Sequence, residues 1–266
     1  MFREVTIGQY YPADSKLHKL DPRVKLFGTL VFVVSLFMAD NIIGVAVTFI
    51  AMAVCIAMSK VPFKHMLKGL KGIIFILVFC GVFNLFLTPG KELVHVWRFT
   101  ITWEGLMMTL KMLYRMVCLV VGTSLMTLTT TPNQLTDGLE KSFKIFSKMG
   151  VPVHEIALMM SIALRFIPIL IEETDKIMKA QMARGADFSS GGPIKRAKAM
   201  IPLLVPLFVS AFRRANDLAY AMEARCYNGG DHRTKMKPLV YSSQDQLAYI
   251  ILWIYVVLFV IARVAI

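Results

Sequence analysis

IIGVAVTFIAMAVCIAMS, residues 42–59, runs eighteen positions without a charged side chain. At ~1.5 Å per residue a helix of that length reaches about 27 Å, close to the hydrocarbon thickness of a bilayer. On its N-terminal side Leu26–Ala39 is also uncharged, and only Asp40 and Asn41 lie between the two stretches. The pair reads as a tight helical hairpin, with the shorter first helix extended by snorkelling Arg23 and Lys25. Asp21-Pro22-Arg23 marks its start, with an aspartate able to cap the helix and a proline at the first helical position. On the C-terminal side Lys60, Lys64, Lys68 and Lys71 are interleaved with apolar residues, and a third span follows over Gly72–Gly90. A loop to Glu104 carries Trp97 and Trp103 as interfacial anchors. Gly105–Thr131 is a fourth span, with Lys111 and Arg115 in its first half, and Gln246–Ala262 is a fifth.

Composition agrees with this reading. Of 266 residues 56% are hydrophobic and the mean hydropathy is +0.61, above the roughly 45–50% apolar of soluble domains. Thirty Lys and Arg against 17 Asp and Glu give a formal charge of +13. In a soluble chain that excess would suggest nucleic acid; here most of it lies between or beside apolar runs, where cytoplasmic loops and an anionic lipid surface account for it. Cys55, Cys80, Cys118 and Cys226 form no Cys-x-x-Cys, so neither a zinc site nor a disulfide framework is indicated. The first 25 residues are polar and contain no apolar core of a signal peptide.

Four lysines follow the second span and a strongly basic segment follows the fourth, whereas the turn after the first has no basic residue. The positive-inside rule therefore predicts a cytoplasmic N-terminus and, with five spans, an external C-terminus. The expected fold class is an all-α membrane protein with about five transmembrane helices plus a cytoplasmic domain of long amphipathic helices. Its expected divisions are an N-terminal segment 1–24, a four-helix membrane region 25–131, a cytoplasmic domain 132–245 and a C-terminal transmembrane helix 246–266.

Residues 132–245 carry most of the functional information. Thr131-Pro132-Asn133 breaks the fourth span, and a polar amphipathic stretch continues to Met149. Val153–Ile171 is apolar apart from His154, Glu155 and Arg165, and runs without a break through Glu172-Glu173 to Arg184-Gly185. Such a helix would be ~50 Å long, bent at Pro168 and packed through Arg165. Ser189–Pro193 reads as a turn. A second long helix is predicted over Ile194–Cys226, its apolar positions including Ile201, Leu204 and Phe208 recurring every three or four residues, with Pro202 and Pro206 as bends. Each apolar face must be covered by lipid or a partner. Two further transmembrane helices with charged ends is the competing description.

The two helices end alike. Gln181-Met182-Ala183-Arg184-Gly185 closes the first and Met222-Glu223-Ala224-Arg225-Cys226 the second. With these ends, and with Gly8-Gln9-Tyr10, Ser15–Arg23, Leu164–Pro168, Arg213-Arg214-Ala215 and Tyr227–Gly230, the sequence resembles the transmembrane (T) component of energy-coupling factor transporters over nearly its whole length. The resemblance implies a non-catalytic scaffold of an ABC-type importer. The long amphipathic helices would be coupling helices, whose ends Ala183-Arg184-Gly185 and Ala224-Arg225-Cys226 would dock into two cytoplasmic ATPase subunits. Ile201, Leu204 and Phe208 would face a separate substrate-binding (S) membrane component that selects a vitamin or metal. It further implies no cofactor in this chain, ATP and Mg being held by the ATPases, and residence in the cell membrane. One departure is Cys226, where the family usually has glycine.

The residues themselves support that assignment. An arginine at a helix C-terminus lies favourably against the helix dipole and carries five donors in a planar fork, able to reach carboxylates or carbonyls of a groove. Glycine after it permits the left-handed conformation that ends a helix. No Gly-x-x-x-x-Gly-Lys-Ser/Thr occurs, so nucleotide binding by this chain is not expected. His154-Glu155 does not begin a zinc-protease motif, because position 158 is Leu, and Glu172-Glu173 reads as a solvated turn. Lys111 and Arg115 lie near the outer end of their span, where a functional role and simple snorkelling are both open. The alternative class is a multi-pass membrane enzyme acting on lipid or peptide, but no convergent set of catalytic side chains lies on the spans.

Overall fold

The computed structural model describes residues 10–96, 99–188, 192–229, 236 and 238–264. Gly8, Gln9, Trp97, Ser189–Gly191 and Gly230, which figure in the readings above, lie outside the described residues. The chain forms two compact units, one of Gly8–Gly138 with Leu239–Ile266 and one built on Leu139–Pro238. It is an all-α membrane fold, to which a single short β-hairpin is added among the described residues.

The first unit is organised on one helix. In chain order it holds α1 (Lys16–Lys19), α2 (Pro22–Met38), α3 (Ile42–Ser59), α4 (Phe63–Lys71) and α5 (Ile74–Leu87). The hairpin β1 (Glu92–Val96) and β2 (Phe99–Thr102) leads into α6 (Trp103–Thr129), and α7 (Pro132–Ser142) follows, its last residues from Leu139 belonging to the second unit. α6 is 27 residues long and packs against α2, α3, α4 and α5. Cys118, Val120, Val121, Leu125 and Leu128 of α6 meet Leu36, Met52, Met66, Leu70 and Leu77 in the core. Gly122 lets α2 approach: a methyl group there would lie 2.6 Å from the Phe32 ring. Between spanning helices there is little hydrophobic driving force, so close packing and polar contacts specify the arrangement. Tyr114 Oη bonds the Thr48 hydroxyl (2.6 Å) and donates to the Val45 carbonyl (2.9 Å), and Ser35 bonds Tyr255 of the C-terminal helix α12 (Ser243–Val264). Ile74, Phe75, Leu30 and Trp253 point outward, as lipid-facing side chains do.

Local signals set the helix ends. Thr131 and Gln134 form a reciprocal capping box: the Thr131 hydroxyl accepts from the Gln134 amide, and the Gln134 side chain accepts from the Thr131 amide. This Thr-x-x-Gln pattern, unread in the sequence, starts α7 immediately after α6. The expected loop between the third and fourth spans folds instead as the hairpin, whose last residue Thr102 caps α6 by accepting from the Gly105 amide (3.1 Å).

The polar N-terminal segment ties four helices together. The Asp21 side chain accepts from the Arg23 amide and guanidinium, while its own N–H donates to Asp245 Oδ1 (2.7 Å). Asp245 also accepts from the amide (2.7 Å) and hydroxyl (2.8 Å) of Ser242 and is 2% exposed. Arg23 stacks on Tyr241, with its guanidinium carbon 3.8 Å from the ring centre. Here the snorkelling expectation fails. Lys25 is buried, and its ammonium donates to the carbonyls of Thr129 (2.8 Å) and His18 (3.1 Å), closing the C-terminus of α6. Unpaired carbonyls at a helix end draw the ammonium inward. Lys111 and Arg115 also have local partners: Lys111 donates to the Asp40 carbonyl (3.0 Å) and Arg115 pairs with the Asp40 carboxylate (3.5 Å), holding the α2–α3 turn.

The second unit contains α8 (Lys144–Ser147), α9 (Val153–Ala183), α10 (Pro193–Ala199) and α11 (Ile201–Glu223). The expected single helix from Val153 is α9. The expected helix over Ile194–Cys226 is broken at Met200 into α10 and α11, with Pro202 in the first turn of α11. Proline lacks the N–H that would continue the ladder and favours a helix start. Pro168 and Pro206 lie inside helices that continue through them.

Among the described residues four helices are long and apolar enough to cross a membrane: α3, α6, α9 and α12. The expected first and third spans form the shorter helices α2 and α5, of 17 and 14 residues.

Asp245→Ala would leave three donors without an acceptor, at about 1–3 kcal/mol for each that stays dry. We expect a lowered melting temperature in detergent for Asp245→Ala, whereas Asp14→Ala, which breaks an exposed pair with Lys19, should leave it unchanged.

Candidate functional site

α9 and α11 pack side by side and run antiparallel. Glu173 of α9 accepts from Ser210 and Arg214 of α11, and eight residues further along α9 the Gln181 amide donates to the carbonyl of Pro202, eight residues back from Ser210. Their C-termini, with the two arginine motifs, therefore lie at opposite ends of the pair.

Both ends close by the same backbone device. In α9 Gly185 takes φ +89°, its N–H donates to the Met182 carbonyl (3.0 Å), and the Ala186 N–H donates to that of Gln181 (3.0 Å). In α11 Cys226 takes φ +55°, its N–H donates to the Glu223 carbonyl (2.8 Å), and the Tyr227 N–H donates to that of Met222 (3.0 Å). These are two Schellman closures in register, with Arg184 and Arg225 as the last residues before the left-handed one. Backbone amides thus satisfy the terminal carbonyls, and neither arginine is needed as a cap. Both guanidinium groups are exposed and make no hydrogen bond or ion pair to another described residue.

Ala183 and Ala224 are exposed and keep each tip narrow. Position 226 is where the two ends differ chemically. A non-glycine residue in the left-handed region costs roughly 1–2 kcal/mol, a strain that Gly185 avoids.

Ile201, Leu204 and Phe208 are 54%, 42% and 62% exposed, and Val205 and Phe212 beside them are exposed too. Leu203, on the opposite side of α11, is buried instead. The predicted stripe is therefore left uncovered by the described residues. Arg165 is exposed on α9, three residues before Pro168.

Glu172 is solvated as expected, but Glu173 is not: its carboxylate is held by Arg214 (2.5 and 3.1 Å) and by the Ser210 hydroxyl (2.6 Å). The sequence held a signal for this pair. Glu173 and Arg214 are 41 positions apart, the same offset that relates Arg184 to Arg225. His154 bonds Glu140 (3.0 Å) rather than joining a metal set, and the described residues contain no group of three or more His, Cys, Asp or Glu that could hold a metal ion.

Comparison with known proteins bears on the whole of this arrangement. Residues 13–236 match a family model described as cobalt transport protein. The chain is 52% identical over 248 residues, 93% of its length and 94% of the relative's, to the energy-coupling factor transporter transmembrane protein EcfT of Thermosediminibacter oceani. It is 50% identical to the protein of that name from Clostridium kluyveri, over 99% of this chain and 98% of the relative. With that of Bacillus subtilis it shares 48% identity over 92% of this chain and 93% of the relative.

The chain belongs to the energy-coupling factor transporter transmembrane family.

As a member of that family it is a multi-pass membrane component of a transporter, not an enzyme. The paired helix ends are then features of a transmembrane scaffold, and the left-handed cysteine is a local strain within it. Cys226→Gly should relieve about 1 kcal/mol at the end of α11, and Gly185→Ala should impose about as much on α9. Hydrogen exchange should slow at the Tyr227 amide in the first variant and quicken at the Ala186 amide in the second.

Proposed function

We propose that this transmembrane component transmits ATP-driven movement of two cytoplasmic ABC-type ATPase subunits to a separate substrate-binding membrane protein. The observation that carries this reading is the duplicated tip. Two antiparallel helices end in the same closure and display the same free arginine at opposite ends of the pair. A partner with two like grooves, as a pair of related ATPase subunits provides, suits such a duplicated display. Each guanidinium would enter one groove and meet carboxylates or carbonyls there.

ATP and Mg belong to those subunits, and this chain carries no cofactor of its own. The exposed face of Ile201, Leu204 and Phe208 docks the substrate-binding component, because so apolar a stripe is costly to leave in water. That component selects the cargo, a vitamin or a metal; the family model's cobalt description and the vitamin-uptake branch recognised in the sequence leave both classes open to it. The chain lies in the cell membrane with its N-terminus and residues 132–245 at the cytoplasmic side. Lysine placement supports that orientation.

Removing one partner of a desolvated charge pair costs roughly 3–5 kcal/mol, against ~0–1 for an exposed pair. Arg184→Glu or Arg225→Glu should each sharply reduce co-purification of the ATPases and abolish uptake while the chain still inserts, and the double variant should be worse. Retained assembly and uptake in both would defeat the reading. Leu204→Asp should release the substrate-binding component with the ATPases still attached. For orientation, Met236→Cys in a Cys226→Ser background should react with an impermeant maleimide only from the cytoplasmic side.

A further inference from the structure

Arg184 lies 11 residues beyond Glu173, and Arg225 lies 11 beyond Arg214. The one charged contact between α9 and α11 among the described residues thus sits at the same distance, three turns or about 16 Å, from each arginine tip. Because the helices run antiparallel, an approximate twofold axis passes through Glu173 and Arg214, and the tips extend equally to either side of it. The two residues that the axis exchanges are opposite in charge, whereas the tips it exchanges are both arginines.

From this placement we infer that the Glu173–Arg214 pair, with Ser210, is a positioning element that sets the register of α9 on α11 and hence the span between Arg184 and Arg225. Apolar packing alone tolerates slippage. Ala157 of α9 and Leu203 of α11 are the only buried apolar side chains of the two helices among the described residues, so little interlocking shape opposes a shift. A slip of one turn would change the tip-to-tip distance by ~5.4 Å, enough to unseat one arginine from a groove that the other still occupies. A bidentate guanidinium–carboxylate contact braced by a hydroxyl is directional and admits one register. Its side chains are 22% and 39% exposed, so its contribution is to geometry more than to stability.

The transport consequence rests on the coupling role proposed above, and the geometric one does not. The test therefore has two independent readouts. In the full chain, freed of its native cysteines, spin labels at Met182→Cys and Glu223→Cys report the span between the helix ends, on the order of 30 Å from helix geometry. A single narrow distance distribution is expected, broadened by Glu173→Gln and narrowed again by the exchange Glu173→Arg with Arg214→Glu. In the complete transporter reconstituted in liposomes, Glu173→Gln should retain the ATPases but lower uptake per ATP hydrolysed about tenfold, within the usual range of coupling effects. The exchanged pair should restore it, which a residue that only stabilises the fold would not require. A distribution that is broad from the outset, that stays narrow in Glu173→Gln, or that the exchange fails to restore overturns the inference. So does a broadened distribution with unchanged uptake per ATP. If Arg184→Glu and Arg225→Glu leave the ATPases attached while the distances behave as expected, only the coupling role fails.

Discussion

Along Val153–Ala183 and Ile201–Glu223 there are more apolar side chains than two helices can hide from water by packing on each other. Ala157 and Leu203 are the buried apolar residues of the pair, while Ile156, Met159, Met160, Ile201, Leu204, Phe208 and Phe212 remain open. Apolar surface of that extent must be covered by lipid or protein, which makes the unit of Leu139–Pro238 dependent on its surroundings. A unit without a core of its own still needs a defined shape. Directional contacts supply it: Glu173 with Arg214 and Ser210, His154 with Glu140, and the Schellman closures. Polar specificity substitutes for packing specificity.

The same division of labour explains the arginine tips. A helix end leaves carbonyls that require donors, and a long basic side chain can supply them. At Arg184 and Arg225 backbone amides do so, because the next residue adopts a left-handed conformation. The guanidinium is thereby released from a structural duty and is available to a partner. Cys226 achieves this with some strain, since its Cβ opposes the conformation that the closure demands.

The unit of Gly8–Gly138 with Leu239–Ile266 solves a different problem. Its core collects on α6, and its polar ends are joined by charged groups turned inward. Lys25 closes α6, and Asp245 holds the Asp21 amide and Ser242. A buried lysine and a buried carboxylate are stable there because each finds several partners, which a lipid interior could not offer.

The sequence alone determined the class of the protein. Uncharged runs such as Ile42–Ser59, the lysines after them and the twin Ala-Arg endings are local patterns, and their physics acts within a few turns of helix. For that reason α3, α9 and α12 and the arginine motifs were legible. Other features depended on what one segment meets in another. Arg23 and Lys25 looked like snorkelling cations until Asp21, Tyr241 and the end of α6 were placed beside them. Glu173 looked solvated until α11 lay against α9. The break at Met200 and the antiparallel pairing of α9 with α11 likewise emerged only in three dimensions. A charged side chain's role is set by the nearest opposite charge or unpaired carbonyl. For Glu173, Lys25 and Asp245 a deciding partner, respectively an arginine, a carbonyl and a backbone N–H, lies 41, 104 or 224 residues away, where tertiary structure alone brings it close.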